Sequence, residues 1–148
     1  MDYGKSINDI LVRLFANVLD IEEKCLKKGE FSDLSIKEMH IIDNIGINRE
    51  PSMSETAKVL GITSGTLTIA IDNLIRKGYV ERRRSKEDRR VVLIKLTEKG
   101  IKAYKAHEDF HKDLVASVLE ALEEDEVKLL VKVLSNIDEF FKKKYKIS

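Results

Sequence analysis

Ile7, Ile10, Leu11, Leu14, Phe15, Val18, Ile21 and Cys25 recur at steps of three and four along the start of the chain. That spacing predicts an amphipathic helix running to about Lys28 and ended by Gly29. The pattern returns with Val127, Leu130, Val131, Leu134, Ile137 and Phe141 inside EDEVKLLVKVLSNIDEFFKKKY. There acids lead and lysines follow, the sense that a helix dipole favours. A third helix is predicted between Thr97, its N-cap, and Leu122, and a short one over SIKEMHIID. The terminal helices carry more apolar surface than a core of about 60 residues between them can cover, so they are expected to meet the copies of a second chain in a homodimer.

The middle of the chain changes rhythm. SMSETAKVLGITSGTLTIAIDNLIRKGYV predicts a short helix with Ser54 as N-cap, a break at Gly61, and a second helix that starts after Thr63 and stops at Gly78. In that second helix Leu67, Ile71 and Leu74 form one apolar face. Ser64, Gly65, Thr66, Thr68, Ile69, Asn73 and Arg76 lie elsewhere, a small, hydroxylated surface nearly free of acid. A helix meant only for solvent normally carries many Glu and Lys. Next come YVERRR and RRVVLIKL, strand-like runs separated by the charged turn SKED, which predict a β-hairpin.

Charge sharpens this picture. The chain has 148 residues and a formal net charge of +1, yet residues 76–105 hold twelve basic and four acidic side chains, net +8, which leaves −7 for the rest. A hairpin carrying Arg83, Arg84, Lys86, Arg89 and Arg90 beside a polar helix predicts a winged helix-turn-helix reader of double-stranded DNA. Its helix would enter the major groove while the hairpin reaches phosphate or the adjacent minor groove. The hydroxyls of Ser64, Thr66 and Thr68 suit base edges or phosphate, and Ile69 suits a thymine methyl. Arg76, Arg83, Arg84 and Lys86 suit phosphate. The expected class is mainly α with a small β-hairpin wing: one chain, 1–148, with a winged helix-turn-helix lobe at 35–96 and long dimerisation helices at 1–30 and 97–148.

On these residues the chain resembles the MarR family of bacterial transcriptional regulators, over nearly its whole length. MSETAKVLGITSGTLTIAIDNLIRKGYVERRRSKEDRRVVLIKLTEKG follows the family's reader helix, its D-R-R wing and its L-T-x-x-G pattern. The resemblance is strongest to the branch that represses fatty-acid biosynthesis. It implies a homodimeric repressor on a palindromic operator, with Asp88 pairing with Arg90 to stiffen the wing and Arg89 or Arg90 entering the minor groove. It also implies acyl-acyl carrier protein, or its fatty acyl chain, as co-repressor.

The three histidines of the chain fall on inward faces. Tyr104, His107, His111, Leu114 and Val118 share one stripe, so two histidines stand one turn apart where leucines would be expected. His40 sits beside Ile36 on the short second helix, and Glu22 on the inner side of the first. These residues admit three readings: separately hydrogen-bonded interior histidines, a zinc site built from Glu22, His40, His107 and His111, or the polar lining of an effector pocket. The zinc set resembles the ligands of zinc-responsive MarR-type repressors. Phe15, Val18, Leu19, Ile36 and Met39 would line an acyl pocket with His40, His107 and His111, or belong to the core.

Other classes find no support. There is no glycine-rich phosphate loop and no G-x-S-x-G turn, so an enzyme is not expected. A single cysteine, no apolar run of about 20 residues and no signal-peptide h-region give a cytoplasmic expectation, with no membrane partner.

Overall fold

The computed structural model describes residues 1–147, in which six helices and one two-stranded antiparallel sheet follow in the order α1 (Tyr3–Lys28), α2 (Ile36–Ile45), α3 (Met53–Leu60), α4 (Ser64–Lys77), β1 (Val80–Arg84), β2 (Val92–Leu96), α5 (Glu98–Glu120) and α6 (Glu124–Tyr145). The mainly helical class with a hairpin wing is what the periodicity predicts. The chain divides into two compact units, Met1–His107 and a second from Glu108 on.

Local chemistry sets the helix ends of the first unit. Ser35 and Glu38 form a reciprocal capping box at α2, and Ser52 and Glu55 form another at α3. The N-cap of α3 is thus Ser52, where the sequence reading placed it at Ser54. Only Ser52 stands three residues before a glutamate, so only Ser52 can exchange hydrogen bonds with that side chain. Thr63 caps α4, its Oγ1 accepting from the Thr66 N–H at 3.1 Å. Gly78, at φ 89°, ends that helix in the left-handed region that favours glycine.

The core lies in this unit. Leu34, Met39, Ile42 and Ile45 pack with Leu67, Ile71 and Leu74 of α4 and with Tyr79, Val80 and Ile94, every one at most 2% exposed. Each fully buried side chain of this kind contributes about 1.5–3 kcal/mol against the entropy of ordering the chain. The face of α4 predicted to be apolar is therefore the one that anchors it. Tyr79 joins the elements: its hydroxyl donates to Asp33 Oδ1 at 2.6 Å, and its carbonyl accepts from the Thr97 N–H at 3.0 Å. Burial, and then the Asp33 carboxylate, push the phenol upward, so it remains a donor. A Cβ built on Gly100 would lie 2.1 Å from that same carbonyl, which explains in physical terms why a glycine follows L-T-x-x.

β1 pairs with β2 from Val80↔Leu96 to Arg84↔Val92, and an isolated bridge, Ser52↔Leu93, adds the segment before α3 to the outer side of β2. The Ile94 N–H donates to the Pro51 carbonyl at 3.0 Å. In the second unit α6 buries no residue, and Val131, Leu134 and Phe141 are 58%, 53% and 40% exposed. No helix among the described residues is long and apolar enough to cross a membrane.

Candidate nucleic-acid interface

Because Leu67, Ile71 and Leu74 fix one side of α4 in the core, helix geometry dictates what the opposite side presents. Ser64, Gly65, Thr66, Thr68, Ile69 and Arg76 are exposed, and Asn73 is half-buried. Two hydroxyls are already engaged: Thr68 Oγ1 donates to the Ser64 carbonyl at 2.8 Å, and Thr66 Oγ1 accepts from Thr63 Oγ1 at 2.9 Å. Arg76 donates to Asn73 Oδ1 at 2.8 Å, so the amide of Asn73 keeps its N–H donors for other partners.

The wing is braced at three levels. At its tip Arg90 engages Asp88 through its backbone N–H, Nε and Nη2, each at 3.0 Å. These bonds hold the Asp88 carboxyl below its usual range. Arg84 Nη1 donates to the Arg89 carbonyl across the turn at 2.8 Å. Ser85 is buried and its hydroxyl donates to Glu87 at 2.8 Å, closing the loop from inside. At the base, Arg82 reaches Asp72 of α4 at 2.6 Å and Arg83 reaches Glu50 at 2.5 Å, with Lys95 3.7 Å from the other Glu50 oxygen. Arg83 is therefore held in an ion pair through Nη2, and its side chain remains 47% exposed. Lys86, Arg89 and Arg90 stand exposed at the tip.

Sequence reasoning did not single out Arg82, Asp72 or Glu50. Glu50 precedes a proline in a segment without periodicity, so nothing marked it. The Asp72 and Arg82 pairing crosses from helix to strand, and neither period reveals such contacts.

A second cluster lies at α1, α2 and α5 within the same unit. Glu22 is 4% exposed, and its Oε1 meets both His40 Nε2, at 3.1 Å, and His107 Nε2. On its other side His107 Nδ1 stands 2.7 Å from Asp43 Oδ2. Asp43 was not foreseen, although it lies three residues after His40 on one helix face. His111 lies one turn beyond His107 on α5, in the second unit, its ring 5.1 Å from that of Phe110. Of the apolar pocket candidates, Met39 is fully buried in the core. Ile36 and Val18 are half-buried, and Phe15 and Leu19 are exposed on α1 at 56% and 55%.

The Asp43 carboxylate beside Nδ1, reinforced by Glu22 and opposed by burial, raises the His107 pKa above its ordinary 6.5. Burial pulls Glu22 upward, but the hydrogen bonds and charge of the two histidines outweigh it and lower the carboxyl below 4.5. A raised histidine stabilises the fold fully below 6.5 and loses that contribution as pH climbs through the folded value. A lowered carboxyl stabilises above 4.5 and loses its contribution on acidification. In chelator-treated protein the melting temperature of the wild type should therefore exceed that of His107→Gln most between these two values. The gap should narrow as pH rises beyond 6.5, and a gap that is constant to pH 9 would exclude the charged assignment.

Comparison with known proteins agrees with this architecture. The sequence profile of the family described as transcriptional regulator SarA/Rot matches residues 24–107. HTH-type transcriptional regulator BilQ of Clostridium symbiosum is 30% identical over 114 residues, covering 76% of this chain and 78% of the relative. HTH-type transcriptional repressor YetL of Bacillus subtilis is 29% identical over 138 residues, covering 93% and 75%. Among solved structures, Streptococcus pneumoniae FabT in complex with DNA is 43% identical with a TM-score of 0.89, covering 95% of this chain and 98% of that one. A mutant MarR from E. coli complexed with operator DNA is 27% identical with a TM-score of 0.62, covering 93% and 99%. The exposed reader helix, the arginine-braced hairpin and these likenesses agree: the chain belongs to the SarA/Rot-type, MarR-like family of winged-helix transcriptional regulators.

Proposed function

We propose that this chain is a repressor that binds a palindromic operator as a homodimer and controls fatty-acid biosynthesis genes, with acyl-acyl carrier protein as co-repressor. The observation that carries the DNA reading is α4 itself, which turns its apolar face into the core and an acid-poor face outward beside a hairpin with six Arg and Lys in ten residues. Exposed apolar side chains on α1 and α6 support the dimer, because surface of that kind on a folded chain calls for a partner. Two reader helices would then meet half-sites about one DNA turn apart. The likeness to FabT in complex with DNA over nearly the whole chain supports the DNA reading, and the effector class follows from the sequence resemblance to repressors of fatty-acid biosynthesis. Effector occupancy would act by shifting the dimer between two spacings of its lobes, a coupling of about 1–3 kcal/mol. Gel shifts on a duplex from the neighbourhood of the chain's own gene should tighten when long-chain acyl-acyl carrier protein is added and stay unchanged with chelator.

A second reading, a zinc-responsive repressor, is favoured by one arrangement. Glu22 Oε1 draws two imidazole nitrogens to one point, and Asp43 holds the far nitrogen of His107, as carboxylates behind metal-bound histidines do. Here Glu22, His40, His107 and His111 would hold a divalent cation, which would supply the positive charge that the His107 proton otherwise provides. Under this reading chelator alters operator affinity, His107→Ala abolishes the response, and the acyl thioester has no effect.

A further inference from the structure

Gly65 sits within the first turn of α4, where a glycine weakens the helix relative to alanine. The fold does not ask for it: its φ is not in the left-handed region, and a Cβ added there would meet nothing within 4 Å. This distinguishes it from Gly100, where the backbone of Tyr79 occupies the space. One turn further, on the same face, Ile69 is 68% exposed, a large apolar side chain with no place in the core. Helical side chains lean toward the preceding turn, so Ile69 overhangs the bare surface at Gly65. Together they make a notch with an apolar wall. The Thr68 hydroxyl beside it is committed to the Ser64 carbonyl, no Arg, Lys or Gln stands among residues 63–75 to read a base edge bidentately, and the one amide there, Asn73, has its Oδ1 engaged by Arg76.

We propose that Gly65 and Ile69 determine sequence preference by receiving the C5-methyl group of a thymine in the major groove. Gly65 provides clearance for the base edge and Ile69 the apolar contact. This rests on duplex DNA being the counterpart of α4. The occupant is a T·A pair rather than another apolar group because the helix that bears the notch is tied, through Asp72 and Arg82, to a cationic hairpin suited to phosphate. Of the four bases only thymine presents a methyl in that groove.

The test uses the full-length protein and a duplex recovered by its own selection from random sequence. Replacing thymines one at a time by deoxyuridine removes only the methyl. At one position in each half-site, wild-type affinity should fall at least threefold, whereas Ile69→Ala, already weaker, should not distinguish the two bases there. Gly65→Ala should raise the melting temperature yet lower affinity at least tenfold, a pairing that a purely structural glycine cannot produce. Uridine-insensitive binding at every position, or Gly65→Ala binding like wild type, would overturn the inference while leaving the DNA reading intact. A failure of selection to enrich any duplex would instead remove the DNA reading itself.

Discussion

Gly100→Ala is expected to destabilise the protein by about 3 kcal/mol or more, the upper range for forcing extra volume into packed structure. The added methyl would stand 2.1 Å from the Tyr79 carbonyl oxygen, and backbone cannot swing aside as a side chain can. That oxygen also accepts the Thr97 N–H, while Thr97 Oγ1 donates to the Gly78 carbonyl at 2.6 Å and accepts from the Gly100 N–H at 3.1 Å. Moving Tyr79 therefore disturbs the junction of α4, β1 and α5 together. A thermal melt should show a loss of about 8 °C or more for a chain of this size. A melt within a degree or two of wild type would mean that α5 can slide on Tyr79 without cost.

Arg90→Ala should leave the melting temperature nearly unchanged, because the side chain is 90% exposed, and lower operator affinity at least tenfold, about 1.4 kcal/mol. Two losses combine. The bidentate bond with Asp88 holds the tip in one conformation before DNA arrives, so its removal adds an ordering cost to binding. If Arg90 is the residue that enters the minor groove, the guanidinium edge turned away from Asp88 would be lost as a groove contact too. Asp88→Asn separates these effects by keeping the cation while weakening the brace, and it should fall between wild type and Arg90→Ala. Unchanged affinity of Arg90→Ala in a gel shift at physiological salt would take the wing out of the mechanism.

The periodic parts of the chain were legible because apolar side chains recur along one face of each helix, whether that face packs in the core, as in α4, or stays exposed, as in α6. The ends of α6 coincide with the quoted run, and α4 lies between Thr63 and Gly78 as its caps require. Ser52 was misread only because two serines compete there, and the S-x-x-E spacing that distinguishes them was present. Contacts that join elements of different period were not legible. Glu50 on Arg83, Asp72 on Arg82 and Asp43 on His107 depend on how helices and strands are placed in space, which single-strand or single-helix spacing does not encode. Met39 shows the same limit from the apolar side. Its stripe position suits either a pocket wall or a core, and only the packing of α2 against α3 and β2 decides that it is core.

Arg82, Arg83 and Arg84 also have a role unrelated to any ligand. The segment at Pro51 and Ser52 covers the far side of β2, so β1 is the free margin of the sheet, and it bears Glu81 and three consecutive arginines, all exposed. Unpaired strand margins recruit further strands, and dense like charge repels an identical margin on another molecule. An engineer who neutralised this run to weaken nonspecific adhesion would remove the guard against edge-to-edge aggregation as well.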